Sequence, residues 1–218
     1  MVGGLRLVEY GYQFPLIFYV EKQLEKWIMN YFMDMETLGT RENSIVMSIG
    51  TLFVPDSEPR TTPSELKIKY GKLYILDIED EERTYGRTID MATIKWWLSQ
   101  NPECLKEQLE NKYSITMEKA IDEILLDLHN NDFFSRRFDN FIWSRGLFEA
   151  KLWESMTNDL ERNQKIMYWR WRDTRTACDI VGNNPNGGID RIEGLNPHNP
   201  LDDCVLDYIR LNNLSIIR

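Results

Sequence analysis

The sequence predicts an α/β protein with a mixed β-sheet. Two apolar segments rich in β-branched and aromatic residues come first, at positions 28–35 and 45–54, and a polar turn separates them. Beyond Thr88 the apolar residues recur at helical spacing, and short strand-like segments alternate with these helices. Early strands followed by alternating helices and strands are typical of α/β folds.

The composition indicates one globular domain with an acidic surface. The 218 residues are 42% hydrophobic, which is enough for a core and excludes a wholly disordered chain. With 26 Lys and Arg against 35 Asp and Glu, the formal net charge is −9. Because an acidic surface repels a polyanion, a nucleic-acid partner would have to be bound through few, local and metal-assisted contacts.

The cysteines and the hydrophobic pattern favour a reducing environment without a membrane. Cys104, Cys178 and Cys204 form no C-x-x-C pair, which argues against a disulfide framework or a structural zinc site. The apolar run at positions 14–20 is too short to cross a bilayer and lacks the cleavage site of a signal peptide. We therefore expect a cytoplasmic protein with no membrane partner.

Positions 1–28 are expected to form an N-terminal extension to a domain at positions 29–218. The extension is apolar and aromatic, and it fits either an extra helix or an arm that packs on a neighbour. It would either cover part of its own domain or contribute to a homodimer contact.

The first part of the domain is predicted to consist of strands. The segments 28–35 and 45–54 are expected to be adjacent strands, and positions 66–75 alternate in character, which indicates a further strand or hairpin arm. The acidic positions 77–82 lack the central glycine of an EF-hand loop, so we interpret them as a solvated turn.

Helices dominate the predicted middle of the chain. Ile94, Trp97 and Leu98 share one helical face, and a new helix begins at Pro102. A long amphipathic helix then covers positions 117–128 and ends at His129, which we interpret as a cation near the helix C-terminus rather than a catalytic group.

The remaining elements alternate between strand and helix. The pattern predicts a strand at 141–143, a helix up to position 160, a strand at 166–171 and a helix capped by Asp173. A last helix starts near Pro200, and its expected buried residues follow helical spacing: Leu201, Cys204, Val205, Tyr208 and Ile209.

Asp34 and Glu36 are the first candidate site. In a strand, residues i and i+2 point to the same side, so these two carboxylates lie together while Met33 and Met35 face the opposite layer. Two carboxylates at the end of an apolar strand repel each other, and a divalent cation would neutralise them. The pattern alone is weak, because surface strands also contain it by chance.

His198 and the acidic residues after it are the second candidate site. The imidazole precedes a helix whose first turn carries Asp202 and Asp203. Both carboxylates could simply stabilise the helix dipole. Alternatively, a neutral histidine beside a hydrated metal ion suits proton abstraction from an attacking water. One turn further along, Asp207 could support the site from behind or be solvated, and we favour solvation.

Several short motifs follow one another along the chain. They are Met33-Asp34-Met35-Glu36-Thr37-Leu38-Gly39-Thr40, Ile49-Gly50, Ile89-Asp90 with Trp96-Trp97, Trp143-Ser144-Arg145-Gly146, Arg172-Asp173-Thr174-Arg175-Thr176, and His198 with Asp203. Motifs of this kind occur in the same order in DEDDh-type 3′-to-5′ exonucleases, which the chain resembles over roughly positions 30–212. The resemblance is strongest to the exonuclease A type of phages and to related small bacterial exoribonucleases, so a phage-encoded protein would act in the host cytoplasm.

The resemblance implies an RNase H-like fold with two divalent cations, Mg²⁺ or Mn²⁺, at one end of the sheet. Asp34 would bridge the ions, and Glu36 and Asp203 would hold the ion that carries the nucleophilic water. His198 would act as the general base. The second motif departs from the family, since its usual Phe-Asp pair corresponds to Phe148-Glu149 only if one residue is deleted, in which case Glu149 would help to position the other ion. An ungapped alignment places Ala150 there and leaves the second ion short of a carboxylate.

The resemblance also implies contacts to the 3′ end of single-stranded DNA or RNA and release of nucleoside 5′-monophosphates. Thr37 and Leu38 match the positions that bind the terminal hydroxyl and wedge against the last base. Trp96 and Trp97 are candidates for base stacking, although at helical spacing one of them must face inward. The predicted substrate contacts are Thr37, Leu38, Trp97, Arg145, Arg172 and Arg175.

Alternatives follow from these motifs. Arg172 and Arg175 could pair with carboxylates and brace the site instead of contacting phosphates. The departure at Glu149 also fits a catalytically weakened relative that binds nucleic acid or protein, and an RNA-specialised exoribonuclease would keep the mechanism while differing in substrate.

Overall fold

A mixed sheet forms the centre of the computed structural model, which describes residues 29–56, 58, 61–100, 102–135, 140–163 and 166–217. The predicted extension at positions 1–28 lies outside the described residues. The strands lie side by side in the order β3-β2-β1-β4-β5; they are β1 (Met29–Thr37), β2 (Val46–Pro55), β3 (Gly71–Ile75), β4 (Ile142–Ser144) and β5 (Trp171–Asp173).

The strand directions confirm the α/β prediction with a mixed sheet. β1 and β2 are antiparallel neighbours, as expected from the two apolar segments, and β2 pairs antiparallel with β3. On the other side, β1, β4 and β5 run parallel, so their carboxyl ends meet at one edge of the sheet.

Helices cover both faces of this sheet. They are α1 (Pro63–Tyr70), α2 (Ile78–Tyr85), α3 (Met91–Ser99), α4 (Pro102–Leu109), α5 (Met117–Asn130), α6 (Phe148–Asp159), α7 (Thr174–Gly182) and α8 (Pro200–Asn213). Apolar residues of α5 and α6 form the core on one face, and those of α1, α7 and α8 form the core on the other. Among the described helices, none is both long and apolar enough to cross a membrane.

The two faces of β1 carry different chemistry, as the alternation predicts. Tyr31, Met33 and Met35 are buried against the core on the α5 and α6 side. Phe32 points the other way, into the core that includes α8. Because neighbouring residues of a strand alternate between faces, Asp34 and Glu36 lie on the α8 side.

The prediction of a strand over positions 66–75 is wrong in its first half. Residues 63–70 form α1, because Thr62 and Glu65 cap its first turn reciprocally and Pro63 stands where no backbone donor is needed. Only Gly71–Ile75 joins the sheet, as β3. The predicted strand at 166–171 also shifts, since residues 168–170 form a 3₁₀ turn and β5 follows it.

The acidic segment at positions 77–82 is a helix and not a solvated turn. Asp77 caps α2 by accepting backbone hydrogen bonds from its first turn. Glu81 is fully buried, accepts a 3.0 Å hydrogen bond from the Val46 amide and pairs with Arg87 at 3.3 Å. The sequence pattern missed this helix because its inward-facing residue is charged instead of apolar.

The start of α8 lies directly against the middle of β2 at Gly50. A β-carbon at Gly50 would stand 2.3 Å from the Leu201 amide nitrogen and from the Pro200 carbonyl carbon. The Cys204 thiol also contacts the Gly50 carbonyl at 3.4 Å. Since Gly50 pairs with Asp34 across the sheet, this close approach brings the first turn of α8 next to Asp34.

We expect Gly50→Ala to displace α8 and destabilise the protein by at least about 1–3 kcal/mol, because the added methyl group meets backbone atoms that cannot rotate away. Urea titration measures the change. Gly182→Ala is the matched control: its methyl group would meet only Leu214 side-chain atoms at 3.3 and 3.4 Å, so stability should change by less than about 0.5 kcal/mol. Equal stability of Gly50→Ala and wild type would contradict the close-approach account.

Candidate active site

Three carboxylates converge at the carboxyl end of β1. Asp34 and Glu36 come from β1 and Asp203 from the first turn of α8, and each offers an oxygen within 4.8 Å of the oxygens of the other two. The convergence follows from the contact at Gly50, which places α8 over this part of the sheet. Oxygen ligands in such a cluster suit a hard divalent cation.

Burial makes this carboxylate cluster electrostatically unfavourable. It raises the pKa of Asp34 well above its ordinary value, and the charge of Asp203 raises it further. Burial and Asp203 act on the pKa of Glu36 in the same way. Because each carboxylate disfavours ionisation of its neighbours, a bound cation would relieve the repulsion, and the residues present fit such an ion.

Glu149 adds a fourth carboxylate beside this cluster. It lies in the first turn of α6, is 6% exposed, and its Oε2 atom has no hydrogen-bond partner among the described residues. Burial raises its pKa to about 7, and its charge raises the pKa of both Asp34 and Glu36. A buried oxygen without a donor is the kind of group that a cation would satisfy.

His198 lies next to two members of the cluster. Its Nδ1 atom lies 3.9 Å from Glu36 Oε1, and its backbone amide donates a 3.2 Å hydrogen bond to Asp203 Oδ2. The residue has a left-handed backbone with φ of 65°, which turns the chain just before α8. Burial, followed by the charge of Arg145, lowers the pKa of His198 from its ordinary value, which favours the neutral imidazole.

Comparison with known proteins identifies the family to which the chain belongs. Residues 29–208 match the model of the 3′-5′ exoribonuclease Rv2179c-like domain. The chain belongs to this family. It is also 22% identical over 209 residues to an exodeoxyribonuclease of Enterobacteria phage T4, covering 84% of this chain and 88% of that relative. The protein is therefore a 3′-5′ exonuclease of the DnaQ-like class with an RNase H-like fold.

The two tryptophans of the exonuclease divide between core and surface. Trp97 is 1% exposed and its indole donates a 2.9 Å hydrogen bond to the Thr37 carbonyl, so it has no free face for the base that the sequence assigned to it. Trp96 is 42% exposed and packs edge to face against His198, with ring centroids 4.9 Å apart. Trp96 is thus the residue whose position suits base stacking.

Leu38, which the first motif predicts to wedge against the last base of the substrate, does not lie at the surface either. Leu38 is 2% exposed and packs in a core with Ile45, Met47 and Trp97, so it does not project toward a substrate base. The Thr37 hydroxyl donates to the Gly39 carbonyl at 2.6 Å and is likewise buried. Leu38 therefore anchors the loop after β1 by packing in the core, and Thr37 stabilises the same loop through its hydrogen bond.

The three arginines predicted to contact substrate have different surroundings. Arg145 is largely buried and donates to Asp207 at 2.8 Å. Arg172 stacks on the Phe141 ring, 3.7 Å from its centroid, and donates to backbone carbonyls. Arg175 is exposed in the first turn of α7, and its charge lowers the pKa of Glu149. Of the three, Arg175 is the one placed both near the cluster and at the surface.

Asp207 is a site residue that the sequence interpretation missed, since it was expected to be solvated. It is 4% exposed, and its Oδ1 atom accepts hydrogen bonds from Arg145 and Arg210 while Oδ2 accepts one from Thr174. The sequence did contain a signal for this role: Asp207 lies one helical turn after Asp203, and residues at that spacing share a face of the helix. Asp202, by contrast, is not one of the three clustered carboxylates and pairs with Lys67 at 2.7 Å.

We expect the free energy of unfolding of the metal-free exonuclease to fall as pH rises. Burial raises the pKa of Glu149 to about 7 and that of Asp207 to about 6, whereas both groups titrate near 4 when unfolded. Between about pH 4 and pH 7 the folded state therefore holds more protons than the unfolded state, and folding loses stability through this window. Melting temperatures in EDTA at pH 5 and pH 7.5 measure this loss of stability.

Saturating Mg²⁺ should remove most of this pH dependence, because the ion binds the ionised carboxylates of the folded state. Glu149→Gln should weaken the dependence in EDTA, since it deletes one of the groups with a raised pKa. A melting temperature in EDTA that increases from pH 5 to pH 7.5 would contradict the electrostatic account of the cluster.

Proposed function

We propose that this exonuclease removes nucleotides one at a time from the 3′ end of single-stranded nucleic acid and releases nucleoside 5′-monophosphates. The observation that carries the proposal is the meeting of Asp34, Glu36 and Asp203 within one cluster, with the imidazole of His198 at its edge. A cluster of carboxylates next to a base is suited to metal-assisted phosphoryl transfer to water.

Asp34, Glu36 and Asp203 would hold one divalent cation, and Asp34 with Glu149 would hold a second. The proposed ions are Mg²⁺ or Mn²⁺, since all four residues offer carboxylate oxygens. Such ions supply Lewis-acid stabilisation of the phosphoryl group and lower the pKa of a bound water. The unpartnered Oε2 of Glu149 supports its assignment as a ligand in place of the aspartate usual in the second motif.

His198 is proposed as the general base that takes the proton of the attacking water. Its neutral form at pH 7 is required for this role, and its lowered pKa supports that form. The Asp203 carboxylate holds the backbone of His198, and the Trp96 ring packs against the imidazole. These contacts orient the base toward the side where Glu36 lies.

Trp96 and Arg175 are proposed to bind the substrate strand. The exposed face of Trp96 lies beside His198, where a terminal base could stack on it. Arg175 presents a surface charge close to Glu149 and Asp203, which suits a phosphate next to the scissile bond. Single strands fit this arrangement because their bases are free to stack on side chains.

The first test uses single-stranded DNA and RNA carrying a label at the 5′ or the 3′ end. Wild type with Mg²⁺ or Mn²⁺ should shorten 5′-labelled strands stepwise and release labelled mononucleotide from 3′-labelled strands. Asp34→Asn should lower the rate by about a thousandfold or more, because several kcal/mol of charge stabilisation are lost. Asp122→Asn, a surface control on α5, should retain wild-type rates.

The same assay separates the two nucleic acids, since the family name refers to RNA and the phage relative's name to DNA. A higher kcat/KM on RNA would favour an exoribonuclease. Identical product ladders from wild type and Asp34→Asn would contradict the proposed function.

A second test compares the two tryptophans. Trp96→Ala should weaken substrate binding by about 5- to 150-fold, corresponding to roughly 1–3 kcal/mol of lost stacking, with little change in melting temperature. Trp97→Ala should instead destabilise the fold by about 3–5 kcal/mol, because it empties a buried site. Binding of a single strand to each variant and urea titration measure these effects. Equal binding by wild type and Trp96→Ala would exclude the stacking role.

A further inference from the structure

Gln108 is a buried amide in the last turn of α4, and it contacts the turn that carries His198. The residue is 7% exposed. The Ser48 hydroxyl donates a 2.7 Å hydrogen bond to Gln108 Oε1, and Gln108 Nε2 donates a 3.3 Å hydrogen bond to the His198 carbonyl. One side chain therefore joins strand β2 to the turn before α8.

The chemistry of its two partners fixes the orientation of this amide. A backbone carbonyl can only accept a hydrogen bond, so the His198 carbonyl faces the NH₂ group of Gln108. The amide oxygen then faces Ser48, whose hydroxyl donates to it. Leu105, one turn earlier on α4, packs in an apolar core, so packing alone does not require an amide at position 108.

Ser48 places one end of this link beside the carboxylate cluster. Ser48 and Glu36 pair directly across β2 and β1, and cross-strand partners project from the same face of a sheet. Ser48 is also completely buried. Gln108 therefore sets the distance between the turn at His198 and the pair of strands that carries Glu36.

The backbone of His198 has a conformation that depends on such contacts. Its φ of 65° lies in the left-handed region, which a residue with a side chain keeps only when its surroundings hold it there. The His198 amide donates to Asp203, and the His198 carbonyl accepts from Gln108, so the peptide groups on both sides of the residue are held. Of these two anchors, Gln108 is the one that lies outside the cluster of Asp34, Glu36 and Asp203.

The ring of His198 is guided less closely than its backbone. The rings of Trp96 and Trp97 pack edge to face against the imidazole, with centroid distances of 4.9 and 5.7 Å. Contacts of this kind tolerate centroid distances of about 4.5–7 Å, whereas a hydrogen bond fixes its atoms within a few tenths of an ångström. The backbone anchors therefore decide how far the imidazole reaches toward Glu36.

We propose that Gln108 is a positioning residue of the exonuclease reaction, which holds the His198 backbone to Ser48 so that the imidazole reaches the attacking water beside Glu36. The inference rests on the proposed role of His198 as the general base. Gln108 acts through His198, so its loss should lower kcat and leave substrate binding intact, because a base that is displaced by about 1 Å transfers protons poorly.

The test is a double-mutant cycle between Gln108 and His198, measured with Mg²⁺ on an end-labelled single strand. Gln108→Met keeps the length of the side chain and removes both hydrogen bonds, and it should lower kcat about 10- to 100-fold while KM stays within about twofold. His198→Ala should lower kcat by about 100-fold or more. Adding Gln108→Met to His198→Ala should lower kcat by less than about a further twofold, whereas an independent structural effect would repeat its full factor.

Nuclear magnetic resonance of the histidines gives a readout that does not depend on activity. The chain contains two histidines, His129 and His198, so a protein labelled in its imidazole rings gives two sets of ring signals. Gln108→Met should shift and broaden the signals of His198, because the ring then samples more than one position. The signals of His129, in the last turn of α5, should not change. His198→Ala assigns the two sets.

Two further variants control for substitution and folding. Gln100→Met makes the same change at the end of α3, where the amide donates to the Ser99 hydroxyl at 3.3 Å, and it should keep the wild-type kcat and His198 signals. Gln108→Asn keeps the amide but is one methylene too short to span Ser48 and His198, so it should reproduce the loss of kcat even if Gln108→Met does not fold. Circular dichroism and melting temperature check each variant.

The outcomes separate the inference from the proposed function. A wild-type kcat in folded Gln108→Met or Gln108→Asn would overturn the inference and leave the exonuclease function intact. An equal loss from Gln108→Met with and without His198, or unchanged His198 signals, would do the same. A wild-type kcat in His198→Ala would overturn the proposed general base and the inference together.

Discussion

The close packing of α8 against β2 is the constraint on which the active site depends. At Gly50 the backbone of the helix start occupies the space that any side chain would fill. This contact brings Asp203 and the turn at His198 over the end of β1, where Asp34 and Glu36 project. Residues far apart in the chain meet there because two backbones approach directly, without side chains between them.

That convergence has an electrostatic consequence. Carboxylates gathered in a half-buried site raise one another's pKa, and the fold offsets this repulsion with the guanidinium of Arg145, held by Asp207. Gathering these carboxylates lowers folding stability, as is common where a site requires like charges to stand together. The proposed cations would also make the acidic net charge compatible with a nucleic-acid substrate, because they would reverse the local field that the substrate meets.

Local sequence signals predicted the elements whose patterns were apolar and failed where polar residues were decisive. The alternation in β1 and the spacing in α5 were enough to identify both elements and their buried faces. α1 was missed because a capping box and Pro63 define its start, while its apolar positions resemble a strand. α2 was missed because Glu81 occupies its inward face. In both helices the deciding interactions were hydrogen bonds of individual polar groups.

The sequence by itself determined the family, the mixed α/β class and the carboxylates Asp34, Glu36 and Asp203 as candidate ligands, because these depend on short motifs and on periodicity. Only the tertiary structure decided which neighbours share the site. It buried Trp97 and left Trp96 exposed, and it turned Asp202 toward Lys67 and Asp207 toward Arg145. Adjacent residues on a helix point in different directions, so their roles depend on what packs against each side of that helix.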